Sequence, residues 1–248
     1  MSDPIPESWK IALERRLLDA QACPAVLTTA NLQAMAQASR PGGPSLATFQ
    51  RWLQDMVQAG KLRAVIKGVY LNRMGRPDAQ PAAAAQWIRK FSVPSLSWVL
   101  EQSWATNNFG DTVTCVIPLS AGMSNPQLRD RHTQAGPFQF FAMPAHLVLP
   151  DRLGCKTEDA LDDRFDYPRA TPEKALLDWI YLGASPRSRL QRPPLDLDLD
   201  PLDRRRLALL AKAMKIEDKL EHWLQQWRAY QADPETQANA SLRFSLGR

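Results

Sequence analysis

The first third of the chain repeats apolar positions with the period of amphipathic helices. In "ESWKIALERRLLDA" apolar residues recur every three or four positions, which predicts one buried helix face. A second, short helix is predicted in "TTANLQAMAQAS", where Thr28 or Thr29 is a favoured N-cap residue. A third helix, "LATFQRWLQDMVQA", begins after Ser45 as N-cap and ends at Gly60, a residue typical of helix C-termini.

The third predicted helix has one apolar side and one polar side. Its apolar side comprises Leu46, Phe49, Trp52, Leu53, Met56 and Val57. Its polar side carries Thr48, Gln50 and Arg51 near the N-terminal half, next to Ser45. These side chains can hydrogen-bond base edges or phosphates, so the pattern predicts a DNA-reading helix.

The stretch "KLRAVIKGVYLN" follows, with two short β-prone runs around Lys67 and Gly68. Three helices followed by a β-hairpin predict a winged helix-turn-helix over residues 1–77. In that arrangement the third helix enters the major groove, and Lys61, Arg63 and Lys67 of the hairpin contact phosphates. The alternative for such a unit is a protein–protein interaction module.

The rest of the chain, residues 78–248, has the pattern of a mixed α/β body after the polar linker "GRPDAQP". Helices are predicted in "AAAAQWIRKF" and in "SLSWVLEQSWA", the second capped by Ser95. Strands are predicted in "DTVTCVIPL", "FQFFAMP" and "HLVLP", which form a small sheet. The fold class is therefore α+β.

A helical region is predicted from about residue 200. The aspartates of "LDLDLDPLD" alternate as in a calcium loop, but Pro201 and Leu207 occupy positions that need Gly and Glu. We therefore expect Asp200 to be an N-cap and Pro201 the first helical residue. The following helix carries a three-heptad apolar seam, which packs on its own domain, docks a partner helix or dimerises. Its members are Leu209, Ala213, Ile216, Leu220, Trp223, Trp227 and Tyr230.

Charge is distributed unevenly along the 248 residues. Residues 1–77 contain 10 Lys and Arg against 5 Asp and Glu, whereas the remainder contains 21 of each. The whole net charge of +5 thus resides in the first third, as expected for a polyanion-binding module joined to a neutral body. The chain has no apolar run long enough to span a membrane and no signal-peptide pattern, so we expect a cytoplasmic protein.

Motifs for catalysis or metal binding do not emerge. The three histidines and three cysteines are scattered, which predicts reduced thiols and neither a metal site nor a cofactor. No nucleophile elbow or metalloprotease motif is present, so the sequence predicts no enzyme. The charged stretch "RDRH" at 129–132 is interpreted as an exposed loop.

The most patterned stretch is "RATPEKALLDWIYL". Thr171 suits the N-cap, Pro172 the first helical position, and Glu173 the positive end of the helix dipole. Lys174 and Asp178 are one turn apart and are predicted to pair across the surface, worth a few tenths of a kcal/mol. These preferences account for the charges without any chemistry.

Three stretches in this order, "GKLRAVIKGVYL", "SVPSLSWVL" and "ATPEKALLDWIYL", resemble the AbiEi-type antitoxins of type IV toxin–antitoxin (abortive infection) systems. The resemblance covers about residues 8–182. It implies a bacterial autorepressor that binds inverted repeats in operator DNA and whose second domain counteracts a nucleotidyltransferase-like toxin, with or without physical contact. It further implies that Gly68 and Tyr70 shape the wing and that Lys67 faces DNA. Glu173, Lys174 and Asp178 would mark the antitoxin body.

Two other functions remain open. One is a stand-alone winged-helix regulator whose second domain senses a ligand or a partner. The other is an enzyme acting on nucleic acid, with Glu173, Lys174 and Asp178 as its candidate residues.

Overall fold

A computed structural model describes residues 8–39, 43–106, 110–119, 130–186 and 188–233. The chain divides into two compact units. The first comprises Met1–Lys90 with Asp130–Phe138, and the second Phe91–Arg129 with Gln139–Arg248. The first unit therefore extends past residue 77 and takes in a short segment from later in the chain.

The first unit combines helices with a small antiparallel sheet. Its elements are α1 (Trp9–Leu18), β1 (Val26–Thr28), α2 (Thr29–Ala38), α3 (Leu46–Gln58), β2 (Leu62–Ile66), β3 (Val69–Asn72), a 3₁₀ helix (Pro81–Ala84) and α4 (Ala85–Ile88). The three strands pair in the order β1-β3-β2. Strand β1 was not predicted, because three residues are too few to show an alternating pattern.

The predicted boundaries of α2 and α3 are confirmed by their caps. The Thr28 hydroxyl accepts a hydrogen bond from the Asn31 N–H, and the Asn31 side chain accepts one from the Thr28 N–H, forming a capping box. Ser45 likewise accepts from the Thr48 N–H at the start of α3. Gly60 follows the end of α3 with φ of +69°, which glycine adopts without strain.

The core of the first unit is built on the apolar side of α3. Phe49, Trp52, Leu53 and Met56 are buried there, and the Trp52 ring meets the Trp9 ring of α1 edge-on at 5.7 Å between centroids. Leu46, predicted on the same side, is exposed, because it is the first residue of the helix.

The later segment of the first unit is the end of a hairpin formed by β6 (Arg131–Thr133) and β7 (Gly136–Pro144). The Gln134 N–H donates to the Val65 carbonyl of β2 at 3.1 Å. The Arg63 guanidinium donates to the Ala135 carbonyl at 3.3 Å. The turn of this hairpin thus contacts β2, whose other side pairs with β3.

The second unit mixes strands and helices, and with the first unit it confirms the α+β class. Its elements are β4 (Val93–Pro94), α5 (Leu96–Gln102), β5 (Val113–Leu119), the later part of β7, α6 (Ala145–Val148), α7 (Pro150–Leu153), α8 (Thr157–Ala160), α9 (Pro172–Gly183), α10 (Arg204–Met214) and α11 (Glu217–Ala232). Strands β4, β5 and β7 lie in a four-stranded sheet of order β4-β5-β7-β6. The segment "HLVLP" is helical rather than a strand.

The C-terminal region consists of two helices, so the prediction of one continuous seam was wrong. Lys215 adopts the left-handed conformation (φ +56°) and ends α10. Of the predicted seam, Leu209 is exposed, whereas Ile216, Leu220 and Trp223 are buried. The predicted N-cap was also wrong: Asp203, not Asp200, accepts from the first N–H groups of α10.

None of the helices in the described ranges is both long enough and apolar enough to cross a membrane.

Gly183, the last residue of α9, is predicted to tolerate no side chain. A Cβ there would lie 2.7 Å from the Arg192 Cα, which is backbone and cannot swing aside. We expect Gly183→Ala to lower the free energy of unfolding by about 1–3 kcal/mol, despite alanine's better helix propensity. Urea unfolding followed by tryptophan fluorescence measures this loss.

The matched control for this substitution is Gly110→Ala in the same unit. The nearest atom to a Cβ at Gly110 is 3.7 Å away, an ordinary contact. Equal stabilities of the two variants would contradict the close approach at Gly183.

Candidate nucleic-acid interface and buried charged cluster

The polar side of α3 is fully available to a partner. Because Phe49 and Trp52 hold the opposite side in the core, Thr48, Gln50 and Arg51 are exposed. The spacing of Thr48 and Arg51 places them one turn apart on the same face. No side chain in the described part of the chain bonds to Arg51.

Ser45 has a positioning role within this surface. Its hydroxyl accepts from the Thr48 N–H at 3.3 Å and lies 2.9 Å from the Thr48 hydroxyl. Ser45 thereby fixes the first turn of α3 and the orientation of the Thr48 side chain. Its own hydroxyl is largely occupied by these contacts.

The turn between β2 and β3 presents Lys67. Gly68 has φ of +77°, a conformation that residues with a Cβ rarely adopt, and its carbonyl accepts from the Thr29 N–H at 2.9 Å. Lys67 is exposed, and among the described residues it has no ion-pair or hydrogen-bond partner. The turn is anchored while its lysine stays free to bind an anion.

The other two predicted phosphate ligands are engaged within the first unit. The Lys61 ammonium lies 3.1 Å from the Glu14 carboxylate, which also accepts from the Trp52 indole N–H at 3.2 Å. Arg63 donates to the Ala135 carbonyl. The structure thus brings Thr48, Gln50 and Arg51 together on one helix, but it gives Lys61 and Arg63 local partners. Glu14 was missed because its partner is 47 residues away in sequence.

The "TPEKALLD" stretch forms the first turns of α9, where the Thr171 hydroxyl accepts from the Lys174 N–H. Thr171 also donates to the Asp159 carbonyl at 2.9 Å, which ties this helix start to α8. Pro172 occupies the first helical position, as predicted.

The prediction that Lys174 and Asp178 pair across the surface was wrong. Both side chains are buried, with 3% and 1% of their area exposed, and the Lys174 ammonium donates to the Asp178 carboxylate in the interior. The reason is that α9 packs against α5, α8, α10 and α11, so its polar side is covered as well as its apolar side.

A serine from another element completes the environment of Asp178. The Ser95 hydroxyl, also fully buried, donates to the second carboxylate oxygen at 2.7 Å. Burial raises the pKa of the Asp178 carboxyl, while the Lys174 ammonium and the two hydrogen bonds counteract that rise. The carboxylate therefore has partners on both oxygens.

Ser95 occupies the N-cap position of α5, as predicted, but its side chain makes no capping hydrogen bond. The Thr114 hydroxyl bonds there instead: it accepts from the Trp98 N–H at 3.0 Å and donates to the Ser95 carbonyl at 2.7 Å. Leu96, the next residue, has φ of +61°, a conformation that is costly for a residue with a side chain. Next to this unusual backbone conformation, the Ser95 hydroxyl points into the interior and bonds to Asp178. The local sequence does not predict this orientation.

Glu173 joins α9 to the start of α10. Its carboxylate accepts from the Asp203 N–H at 2.7 Å, and its other oxygen lies 3.6 Å from the Arg206 guanidinium. Glu173 is 2% exposed and lies in the first turn of α9, as predicted, where its carboxylate also makes a buried connection between two helices.

The buried charged cluster, defined by Ser95, Glu173, Lys174 and Asp178, is closed to solvent in this structure. A hydroxyl, an ammonium and a carboxylate are within bonding distance, but a reacting molecule has no access to them. The cluster therefore acts as a framework that fixes α9 against α5 and α10. In the described ranges no three His, Cys, Asp or Glu side chains are grouped to hold a metal.

Breaking the buried pair is expected to be costly. Asp178→Asn leaves the Lys174 ammonium buried without a counter-charge, and we expect the free energy of unfolding to fall by about 3–5 kcal/mol. The double variant Lys174→Met/Asp178→Asn removes both charges and is expected to lose less than the sum of the two single variants. Urea unfolding of the four proteins measures this coupling.

The exposed pair Arg228–Glu221 on α11 provides the control, with more than half of each side chain exposed. We expect Glu221→Gln to cost no more than about 1 kcal/mol. Additive losses at Lys174 and Asp178, or losses as small as that of Glu221→Gln, would refute the buried ion pair.

Comparison with known proteins finds similarity among solved structures. No protein-family model matches the chain, and no curated protein matches it. A solved structure described as the crystal structure of the RV2827C protein from Mycobacterium tuberculosis is similar to it with a TM-score of 0.48 and 13% sequence identity, covering 94% of this chain and 80% of that one.

Proposed function

We propose that this protein is a DNA-binding antitoxin that represses its own operon through an N-terminal winged helix and counteracts a nucleotidyltransferase-like toxin through its second unit. The observation that carries the DNA-binding part is that Thr48, Gln50 and Arg51 of α3 are exposed while Phe49, Trp52, Leu53 and Met56 of the same helix are buried. A helix supported in this way can enter a groove without exposing the core.

The order of elements supports the same interpretation. Helix α1, strand β1, helices α2 and α3 and the hairpin β2–β3 follow one another, with β1 paired to β3. This succession is typical of a winged helix, in which the hairpin turn contacts the DNA backbone. Lys67 occupies that turn with its ammonium unpaired among the described residues, and the excess positive charge of the chain lies in the same third.

The antitoxin part rests on the resemblance of the three sequence stretches. The geometry of the second unit supplies a physical reason for the most distinctive of them, because Glu173, Lys174 and Asp178 of "TPEKALLD" all make buried polar contacts. We therefore propose that these three residues have a structural role in the antitoxin body. Antagonism of the toxin would then use other, exposed residues.

A second candidate is a stand-alone regulator whose body senses a ligand. A cavity of about 180 Å³ in the second unit favours it, with Ile180 and Trp223 in its wall and Arg192 and His222 beside it. The reading frame next to this gene separates the two candidates. A nucleotidyltransferase-like neighbour supports the antitoxin, and its absence supports the regulator.

Substitutions on α3 and at the hairpin turn test DNA binding. We expect Arg51→Ala to weaken binding to the DNA that precedes the protein's own reading frame by about 1–3 kcal/mol and to relax sequence preference, since it removes a base contact. Lys67→Ala is expected to weaken binding to all sequences alike, since it removes a phosphate contact. Fluorescence anisotropy at fixed ionic strength measures both.

Lys212→Ala is the matched control, since it removes one exposed positive charge from α10 in the other unit. Its DNA affinity is expected to equal that of the unmodified protein. Unchanged affinity in both Arg51→Ala and Lys67→Ala would overturn the proposed interface.

The division of labour between the units is tested in the full chain, because residues 130–138 belong to the first unit and a cut at residue 77 would divide it. We expect Arg51→Ala/Lys67→Ala to derepress the operon while still protecting cells that express the neighbouring toxin. Reporter activity and colony survival measure the two effects separately. Loss of protection in a variant that folds normally would show that antagonism requires the DNA-binding surface.

A further inference from the structure

A second site for a partner lies in the first unit, in a cleft between the end of α3 and the sheet. The cleft measures about 390 Å³, which is many times the volume of about 30 Å³ that one water occupies in the liquid. All of its lining residues belong to the first unit. Those that matter for the argument are Val57, Gly60, Arg63, Ala64, Arg73 and Gln134.

The strand register brings two guanidinium groups to this cleft. Arg63 of β2 is paired with Leu71 of β3, and Arg73 lies two residues after Leu71, with its N–H bonded to the Lys61 carbonyl. Side chains at such diagonal positions share one face of the sheet and lie within reach of each other. A single small ligand can therefore contact both arginines.

The positive charge of the cleft is not neutralised from within. None of its lining residues is acidic. Arg73 is half-buried, and its side chain forms no hydrogen bond or ion pair within the described residues. Arg63 has one contact, to the neutral Ala135 carbonyl. A guanidinium partly removed from water and lacking an acceptor is stabilised by an anion, most strongly by one with two oxygens in its plane.

The remaining wall of the cleft suits a small organic body. Val57 and Ala64 present partly exposed apolar surface, and Gln134 contributes an amide that can both donate and accept. The Gln134 backbone is held by its hydrogen bond to the Val65 carbonyl, so this part of the wall is fixed. We propose that the cleft binds a small oxyanion, a phosphate or a carboxylate carried on a compact apolar group, between Arg63 and Arg73.

This site is separate from the proposed DNA-reading surface. Val57 and Gly60 lie at the C-terminal end of α3, whereas Thr48 and Arg51 lie in its N-terminal half. At 1.5 Å per residue, Thr48 and Val57 are about 14 Å apart along the helix axis. The inference goes beyond the proposed function and does not depend on DNA binding.

The test is calorimetric titration of the full chain, without DNA, with inorganic phosphate, phenyl phosphate and benzoate at a constant ionic strength of about 0.15 M. We expect saturable binding of phenyl phosphate, benzoate or both, tighter than that of inorganic phosphate because the apolar wall contributes. Which of the two organic anions binds more tightly identifies the oxyanion. Arg73→Gln and Arg63→Gln are each expected to weaken binding about tenfold or more, the value of one charge-assisted hydrogen bond.

Arg16→Gln is the control, since it removes the same charge from an exposed position on α1 of the same unit, outside the residues that line the cleft, and it is expected to bind the anions as tightly as the unmodified protein. Thermal unfolding shows whether each variant folds, and Arg63→Gln provides the test if Arg73→Gln does not fold. Absence of saturable binding by all three anions up to about 10 mM, or equal weakening by Arg16→Gln, would overturn the proposal. Weakened duplex binding by Arg73→Gln without any free-anion binding would overturn it too, and would assign the cleft to the DNA backbone.

Discussion

An ammonium and a carboxylate buried one turn apart on α9 impose the strictest condition on the second unit. A charge withdrawn from water costs free energy unless it is paired, and Asp178 has both the Lys174 ammonium and the Ser95 hydroxyl as partners. The adjacent Glu173 accepts a hydrogen bond from the N–H of Asp203, just before α10. Polar contacts and apolar packing together thus determine how α5, α9 and α10 pack. Leu96, the first residue of α5, has a positive φ next to Ser95, whose hydroxyl bonds to Asp178.

In the first unit, by contrast, the charged side chains discussed above lie outside the core. There Trp52 and its apolar neighbours form most of the core, and the polar side of α3 is left exposed. Lys61 is balanced by Glu14, whereas Arg51, Lys67 and Arg73 have no partner among the described residues. To these three residues we assign ligands: DNA to Arg51 and Lys67, and a small oxyanion to Arg73. On this proposal, charged residues stabilise the second unit internally and bind ligands in the first.

Local sequence predicted the features that depend on neighbours along the chain. The Ser45 cap, the glycine after α3 and the two-sided character of α3 follow from rules that span a few residues, and they are confirmed. The burial of Lys174 and Asp178 could not be predicted, because it depends on helices that cover α9 from distant parts of the chain. The break at Lys215 was missed because the apolar spacing continues past this residue, although the helical backbone conformation ends there.

The most direct test of the account is the salt dependence of DNA binding by the full chain. The logarithm of the affinity for duplex DNA is measured against the logarithm of salt concentration, with the DNA preceding its own reading frame and with a scrambled duplex. The account predicts a linear fall for both duplexes, with the native sequence bound about a thousandfold or more tightly at physiological salt. Affinity that is independent of salt, or equal for the two duplexes, would contradict a winged helix that reads DNA through α3.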